Sequence, residues 1–225
     1  ARHAKREASL FGIFKLTKPV AKGYKLVQGR IDVADPKVFL KDKLNLLRVF
    51  EEGLRTKYLL HPNVMRIVTS NLHLIDDDMR EDPEAQRIFL DLLLKHGNPE
   101  RSLRRMNELG VLGTFIPEFE DIVAMMQFNV YHHYTVDEHI IQTISCLAQI
   151  EREELVEDLP LSSSILKAGI NRKIIYVALL LHDIGKGRPE DHSIIGAQMA
   201  RRIAPRLGLD AEECETVEWL VRYHL

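Results

Sequence analysis

From Pro36 onward apolar residues recur at helical spacing. Val38, Leu40, Leu44, Leu47, Phe50 and Leu54 make one helical stripe that runs until Gly53 and the His61-Pro62 break. A second stripe follows Asn63. Asp82-Pro83 then offers an N-cap with proline at the first helical position, Ile88, Phe89, Leu92 and Leu93 form the buried face, and Gly97 stands where a C′ glycine belongs. Asn98-Pro99 repeats that start signal for a helix carrying Leu103, Met106 and Leu109. It stops at Gly110, and Gly113 and Pro117 are read as a loop. In the second half, Thr135 to Glu138 reads as a capping box that puts His139 in the first turn of a helix running to about Leu155. A linker is expected at Leu159-Pro160 and Ser162-Ser163-Ser164. Asn171 caps a strongly apolar helix through Ile174, Val177, Ala178 and Leu181 that is expected to end at Gly185, and two more helices follow, Ser193 to Ala204 and Asp210 to Leu225. Before residue 36 the pattern differs. There Gly12, Pro19, Gly23 and Gly29 punctuate two β-prone pieces, Tyr24 to Val27 and Arg30 to Val33, which suggest a short hairpin near the N-terminus. The pattern therefore predicts an all-α protein with about eight or nine helices. Its expected divisions are an irregular segment over residues 1–35, a helical linker region over 36–128 and a further helical domain over 129–225.

Composition narrows the function. The 225 residues include 31 Lys+Arg against 33 Asp+Glu, a net charge of −2, so nothing suggests a nucleic-acid partner or a polybasic membrane contact. At 45% hydrophobic the chain is globular and long enough for one or two domains. No apolar run approaches the roughly 20 residues of a membrane span, no signal peptide opens the chain, and the two cysteines, Cys146 and Cys214, have no metal-spaced partner. A cytoplasmic location is the expectation. Histidine is in excess, with ten in the chain, most of them after Tyr131.

His182-Asp183 closes an almost wholly apolar helix, where a charged pair is costly to bury unless a cation or partner neutralises it. Imidazole beside carboxylate suits a borderline or hard divalent ion, but neighbours in sequence cannot close a site alone. His139, His192 and His224 are the candidates to join them from other helices, as in bundles that converge inward-facing ligands. Gly185-Lys186-Gly187 adds a flexible turn and a cation suited to a phosphate. A lone His-Asp pair is weak evidence, and satisfied core or surface histidines are the commoner case. His61, His73 and His96 are read in that way, as surface or capping residues, and Trp219 as core. Asp137 reads as a first-turn acid or as an orienter of His139, and Arg101, Arg104 and Arg105 as a basic face, either solvated or meeting a partner. His132, His133 and Tyr134 are pre-helix residues or line a cleft mouth.

The ordered set of a first-turn histidine, Leu181-His182-Asp183-Ile184-Gly185-Lys186-Gly187, and Asp191-His192 before a small-residue helix resembles the HD phosphohydrolase superfamily. The flanks are more specific. Arg101 to Asn107, Gly110 to Gly113, Ile116 to Phe119 and Tyr131 to His139 resemble the bifunctional PII uridylyltransferase/uridylyl-removing enzymes of bacterial nitrogen regulation, a likeness covering roughly residues 30–225. What this implies is a helical HD domain over 129–225 preceded by the family's helical linker, with His139, His182 and Asp183 as metal ligands. It further implies a divalent cofactor, Mg2+ or Mn2+. His192 and His224 match positions that hold a second metal in some HD proteins and contact phosphate or act as acid or base in others.

The implied reaction is removal of UMP from a tyrosyl-UMP on the PII signal protein, with Lys186 neutralising phosphoryl charge and His192 and His224 in catalytic positions. The implied partners are PII and the family's transferase and ACT domains. Those domains have no counterpart in this sequence, and Leu225 precedes the downstream aspartate expected to complete the metal set, so the chain is expected to be the middle of a longer enzyme. Two other readings stand beside this one: an HD hydrolase acting on a small nucleotide, and a non-catalytic helical module that passes a signal between domains.

Overall fold

The computed structural model describes residues 18–126 and 134–225; His132 and His133 lie outside these. The expected hairpin is present. β1 (Tyr24–Val27) and β2 (Arg30–Val33) pair antiparallel, with Tyr24 opposite Val33, around Gln28 and Gly29, both at positive φ as a tight hairpin turn requires. A third strand was not foreseen. β3 (Leu59–Leu60) lies parallel to β2, Arg30 opposite Leu59, and ties the hairpin to the helices that follow.

The stripe beginning at Pro36 is two helices. Asp35 caps α1 (Pro36–Phe39) by accepting from the amides of Lys37 and Val38, and the chain then turns through Asp42 before α2 (Asn45–Thr56). Gly53 does not stop α2. It is buried inside the helix, where an added Cβ would stand 3.5 Å from the Tyr58 carbonyl, and the helix ends instead at Lys57 in the left-handed region. His61 caps α3 (Pro62–Thr69), its ring accepting from the Asn63 amide. After a short 3-10 turn at Leu72–Leu74, α4 (Asp77–Glu81) and α5 (Pro83–Leu94) follow, α5 capped by Asp82 as read.

α6 (Glu100–Glu108) stops at Gly110, at φ +80. The expected loop beyond it is helical. α7 (Val111–Phe115) and α8 (Pro117–Glu120) occupy it, burying Val111, Leu112, Phe115 and Phe119 in the core that α5 and α6 share. The second half holds α9 (Val136–Glu151), α10 (Pro160–Lys167), α11 (Arg172–Leu181), α12 (His192–Arg206) and α13 (Ala211–Arg222). The serine-rich linker is thus helix α10, begun by Pro160 at its first turn. Asn171 caps α11, and Asp210 and Glu213 form the reciprocal box of α13, both as the sequence suggests.

The box expected at Thr135 does not form. Its hydroxyl serves the Asp137 carboxylate, and Glu138 turns away to pair with Arg104 on α6. One apolar core runs through both halves, from Ile31 and Leu47 through Phe89 and Ile140 to Ile203 and Val221. α12 packs along α13, and α11 contacts both α9 and α13. Trp219 is not core but 61% exposed, because the apolar face of α13 is supplied by Cys214, Val217 and Val221. Among the described residues no helix is long and apolar enough to cross a membrane.

Candidate metal centre

Four helices deliver the site. His139 comes from the first turn of α9, His182 and Asp183 from the C-terminal end of α11, His192 from the first residue of α12, and His224 from just past α13. Helix ends suit this use, because side chains there project past the packed bundle while the backbone stays anchored. Glycine makes the close approach. A Cβ on Gly185 would fall 2.3 Å from the His192 carbonyl and 2.6 Å from the Gly196 amide, so only glycine lets the turn after Asp183 lie against the start of α12.

Asp183 is the centre of the cluster and is 2% exposed. One carboxylate oxygen, Oδ2, lies 3.3 Å from His182 Nε2, 3.8 Å from His139 Nε2 and 2.8 Å from Lys186 Nζ. The other, Oδ1, lies 3.5 Å from His224 Nε2. The His182 ring is 5.4 Å from that of His139 and 5.3 Å from that of His224, which in turn is 5.6 Å from His192. Burial pushes the Asp183 carboxyl upward, but the contact with His182 and the hydrogen bond and charge of Lys186 outweigh it and hold the group far below the usual carboxylate range.

The backbone fixes which nitrogen of two rings faces inward. Nδ1 of His182 is 2.7 Å from the Leu179 carbonyl and Nδ1 of His224 is 2.7 Å from the Val221 carbonyl. A carbonyl only accepts, so each Nδ1 carries the proton and each Nε2 presents a lone pair to the centre. That is the arrangement in which histidine binds a metal while a backbone oxygen holds its orientation.

Do these residues fit a cation? Two donor sets, each with ligand atoms within 4.8 Å of one another, share Asp183: one with His139 and His182, the other with His192 and His224. Nε2 of His192 and Nε2 of His224 are buried without a hydrogen-bond partner. Buried polar atoms are almost always paired, so two orphan imidazole nitrogens beside a carboxylate mark a missing electrophile. Lys186 already places an ammonium on Asp183, a cation standing where the carboxylate demands one. Nitrogen and oxygen donors without thiolate suit a borderline or hard divalent ion.

All six residues singled out in the sequence, His139, His182, Asp183, Lys186, His192 and His224, are therefore neighbours. Tyr134 is exposed, and Arg101 and Arg104 are structural: Arg101 donates to the carbonyls of Gly53 and Lys57, and Arg104 pairs with Glu100 and Glu138. The spacing of the sequence missed Asn107. Its amide donates to buried Asp137, two residues before His139, and so joins α6 to the helix that carries the first ligand.

Comparison with known proteins agrees with this geometry. The description "HD domain" matches residues 136–225, and "Uridylyltransferase GlnD third domain" matches residues 24–115. Over all 225 residues the chain is 73% identical to the bifunctional uridylyltransferase/uridylyl-removing enzyme of Cereibacter sphaeroides and 72% identical to that of Ruegeria pomeroyi. All 225 residues thus align with members of that family. The chain spans about a quarter of the length of these relatives, 24% of the first and 25% of the second. HD domains are metal-dependent, and among the described residues two histidine and aspartate sets could bind a metal.

Proposed function

We propose that the chain is the hydrolytic part of a nitrogen-sensing enzyme that removes UMP from tyrosyl-UMP on the PII signal protein, in a polypeptide that also uridylylates PII from UTP. The observation that carries this reading is the single buried carboxylate of Asp183 shared by two imidazole sets, in a chain so close to relatives named as uridylyl-removing enzymes. The expected division, a linker region over 36–128 and an HD domain over 129–225, belongs to the same proposal. So does a location in the cytoplasm, where a nitrogen signal protein would be met.

His139, His182 and Asp183 would hold a Mg2+ or Mn2+ ion, and His192 and His224, with Asp183, would hold a second. Metal bound there supplies Lewis-acid polarisation of a phosphoryl oxygen and makes a water acidic enough to be ionised near neutral pH. The protein's own groups do the rest. Asp183, fully ionised, keeps a fixed negative charge at the centre. Lys186 stands within reach to balance charge building on the phosphoryl oxygens, a contribution that preorganised cations make well in a water-poor site. In the hydrolysis a water oxygen bonds to phosphorus as the bond to the tyrosyl oxygen breaks. That oxygen, with an ordinary pKa of about 10, leaves needing a proton at neutral pH, which solvent water supplies.

The second donor set favours a second cation over a plain phosphate contact, because His224 Nε2 faces the Asp183 carboxylate and no anion would be drawn there. The test is UMP release from uridylylated PII by the chain and by His182→Ala and Asp183→Ala. Loss in both variants with retained helical circular dichroism is expected; undiminished release would sink the proposal.

A further inference from the structure

A row of polar contacts joins α6 to α9, and it ends two residues short of His139. Glu100, Arg104 and Asn107 share a face of α6, and Glu138, Ser145 and Gln149 share the facing side of α9. At the far end wholly buried Ser145 receives Asn98 Nδ2 at 2.8 Å and Gln149 Nε2 at 3.2 Å, and donates to Glu100 Oε2 at 2.7 Å. In the middle Arg104 bridges Glu100 and Glu138. At the near end Asn107 Nδ2 donates at 2.8 Å to Oδ2 of Asp137, a residue only 4% exposed. α6 lies in the stretch that matches the third-domain description and α9 in the stretch that matches the HD domain, so the row crosses from one to the other.

Apolar burial is non-directional, whereas a hydrogen bond between buried groups demands its distance and angle and leaves both groups unpaired when these are missed. A polar seam therefore fixes register. Register matters here, because a slip of one residue along a helix moves a side chain by about 1.5 Å, and metal-ligand distances are held to within about 0.2 Å. Of the six clustered residues α9 carries only His139, whose Nε2 stands 3.8 Å from Asp183 Oδ2, against 3.3 Å for His182. Nor does α9 hold its own first turn, since no side chain caps it and Thr135 is turned to Asp137. We propose that Asn107 is a positioning residue for His139: by holding Asp137 it sets the height of the first turn of α9, and with it the reach of His139 to a cation shared with His182 and Asp183. This rests on the reading of the cluster as a metal centre and adds what places its first ligand.

Calorimetric titration with Mn2+ reads the effect, with Tm measured beside it. Asn107→Ala should weaken binding about tenfold, the scale on which groups behind a ligand act. Asn98→Ala removes a link of the same seam at Ser145, about 9 Å along α9 from His139, and should leave the affinity within about twofold. Asp137→Asn keeps an acceptor oxygen for the Asn107 amide while removing the charge, and an affinity within about threefold of the parent is expected. Undiminished binding in Asn107→Ala overturns the positioning role. So does an equal loss in Asn98→Ala, which would make the seam packing alone, or in Asp137→Asn, which would make charge the cause. If the unsubstituted chain binds no Mn2+, the metal reading fails, and the imidazole nitrogen resonances of the metal-free chain decide the rest. Asn107→Ala should shift or broaden those of His139 and leave those of His224 in place; unmoved His139 resonances overturn the proposal.

Discussion

The two halves of the molecule treat their buried polar groups in opposite ways. In the half spanning β1 to α8 they are closed on protein partners: Ser102 Oγ donates to the Phe50 carbonyl, Thr56 Oγ1 to the Glu52 carbonyl, and the Glu52 carboxylate receives Arg55 and the Ala21 amide. In the half spanning α9 to α13, the imidazole nitrogens of His192 and His224 are buried and unpartnered around one carboxylate. The seam between the halves holds another such pair, Asn107 Oδ1 and Asp137 Oδ1. Burying polar groups without partners opposes folding, so their collection around Asp183 marks where structure has been given over to chemistry.

Substitutions can sharpen or break that contrast. His224→Ala removes one member of the second donor set and should lower UMP release about a hundredfold, read by chromatography of released UMP. A drop equal to that of an exposed control would mean that the second set is packing alone. Gly185→Ala drives a methyl into the backbone of His192 and Gly196, and should cost about 2 kcal/mol, a fall in Tm of roughly 5 °C by calorimetry. Lys186→Gln withdraws a competing cation from Asp183. It should tighten Mn2+ binding about tenfold by calorimetric titration, since an ammonium there opposes a second positive charge.

In the other half, Arg101→Ala should cost about 1 kcal/mol in chemical denaturation and leave UMP release as it was, because its partners are carbonyls remote from Asp183. Within the half that holds Asp183, Lys167→Ala on α10 breaks the exposed pair with Glu153, and less than about 0.5 kcal/mol is expected.

The sequence carried most of this where the signal is local. Asp82-Pro83, Asn171 and the Asp210-Glu213 box each act within three residues, and the helices they begin are where the pattern put them. The failures came where a distant residue won. Thr135 lost its capping role because Arg104, over thirty positions earlier in the chain, takes Glu138. β3 is two residues long and exists because β2 offers an open edge, which no local pattern announces. Trp219 looked like core by composition, and only the placement of Val217 and Val221 turns it outward. At the site, the family resemblance pointed to His139, His182 and Asp183, with His192 and His224 as further candidates. That Asp183 faces two histidine sets, with Nε2 of His182 and His224 turned inward by backbone carbonyls, is tertiary information.

The central claim is that Asp183 is the hub of a divalent-cation centre. Calorimetric titration with Mn2+ of the chain and of Asp183→Asn, which keeps the side chain's shape and removes its charge, tests it most directly. Saturable binding by the chain, weakened at least a hundredfold in Asp183→Asn at unchanged Tm, is the expected result. Equal affinity in the two proteins would contradict it.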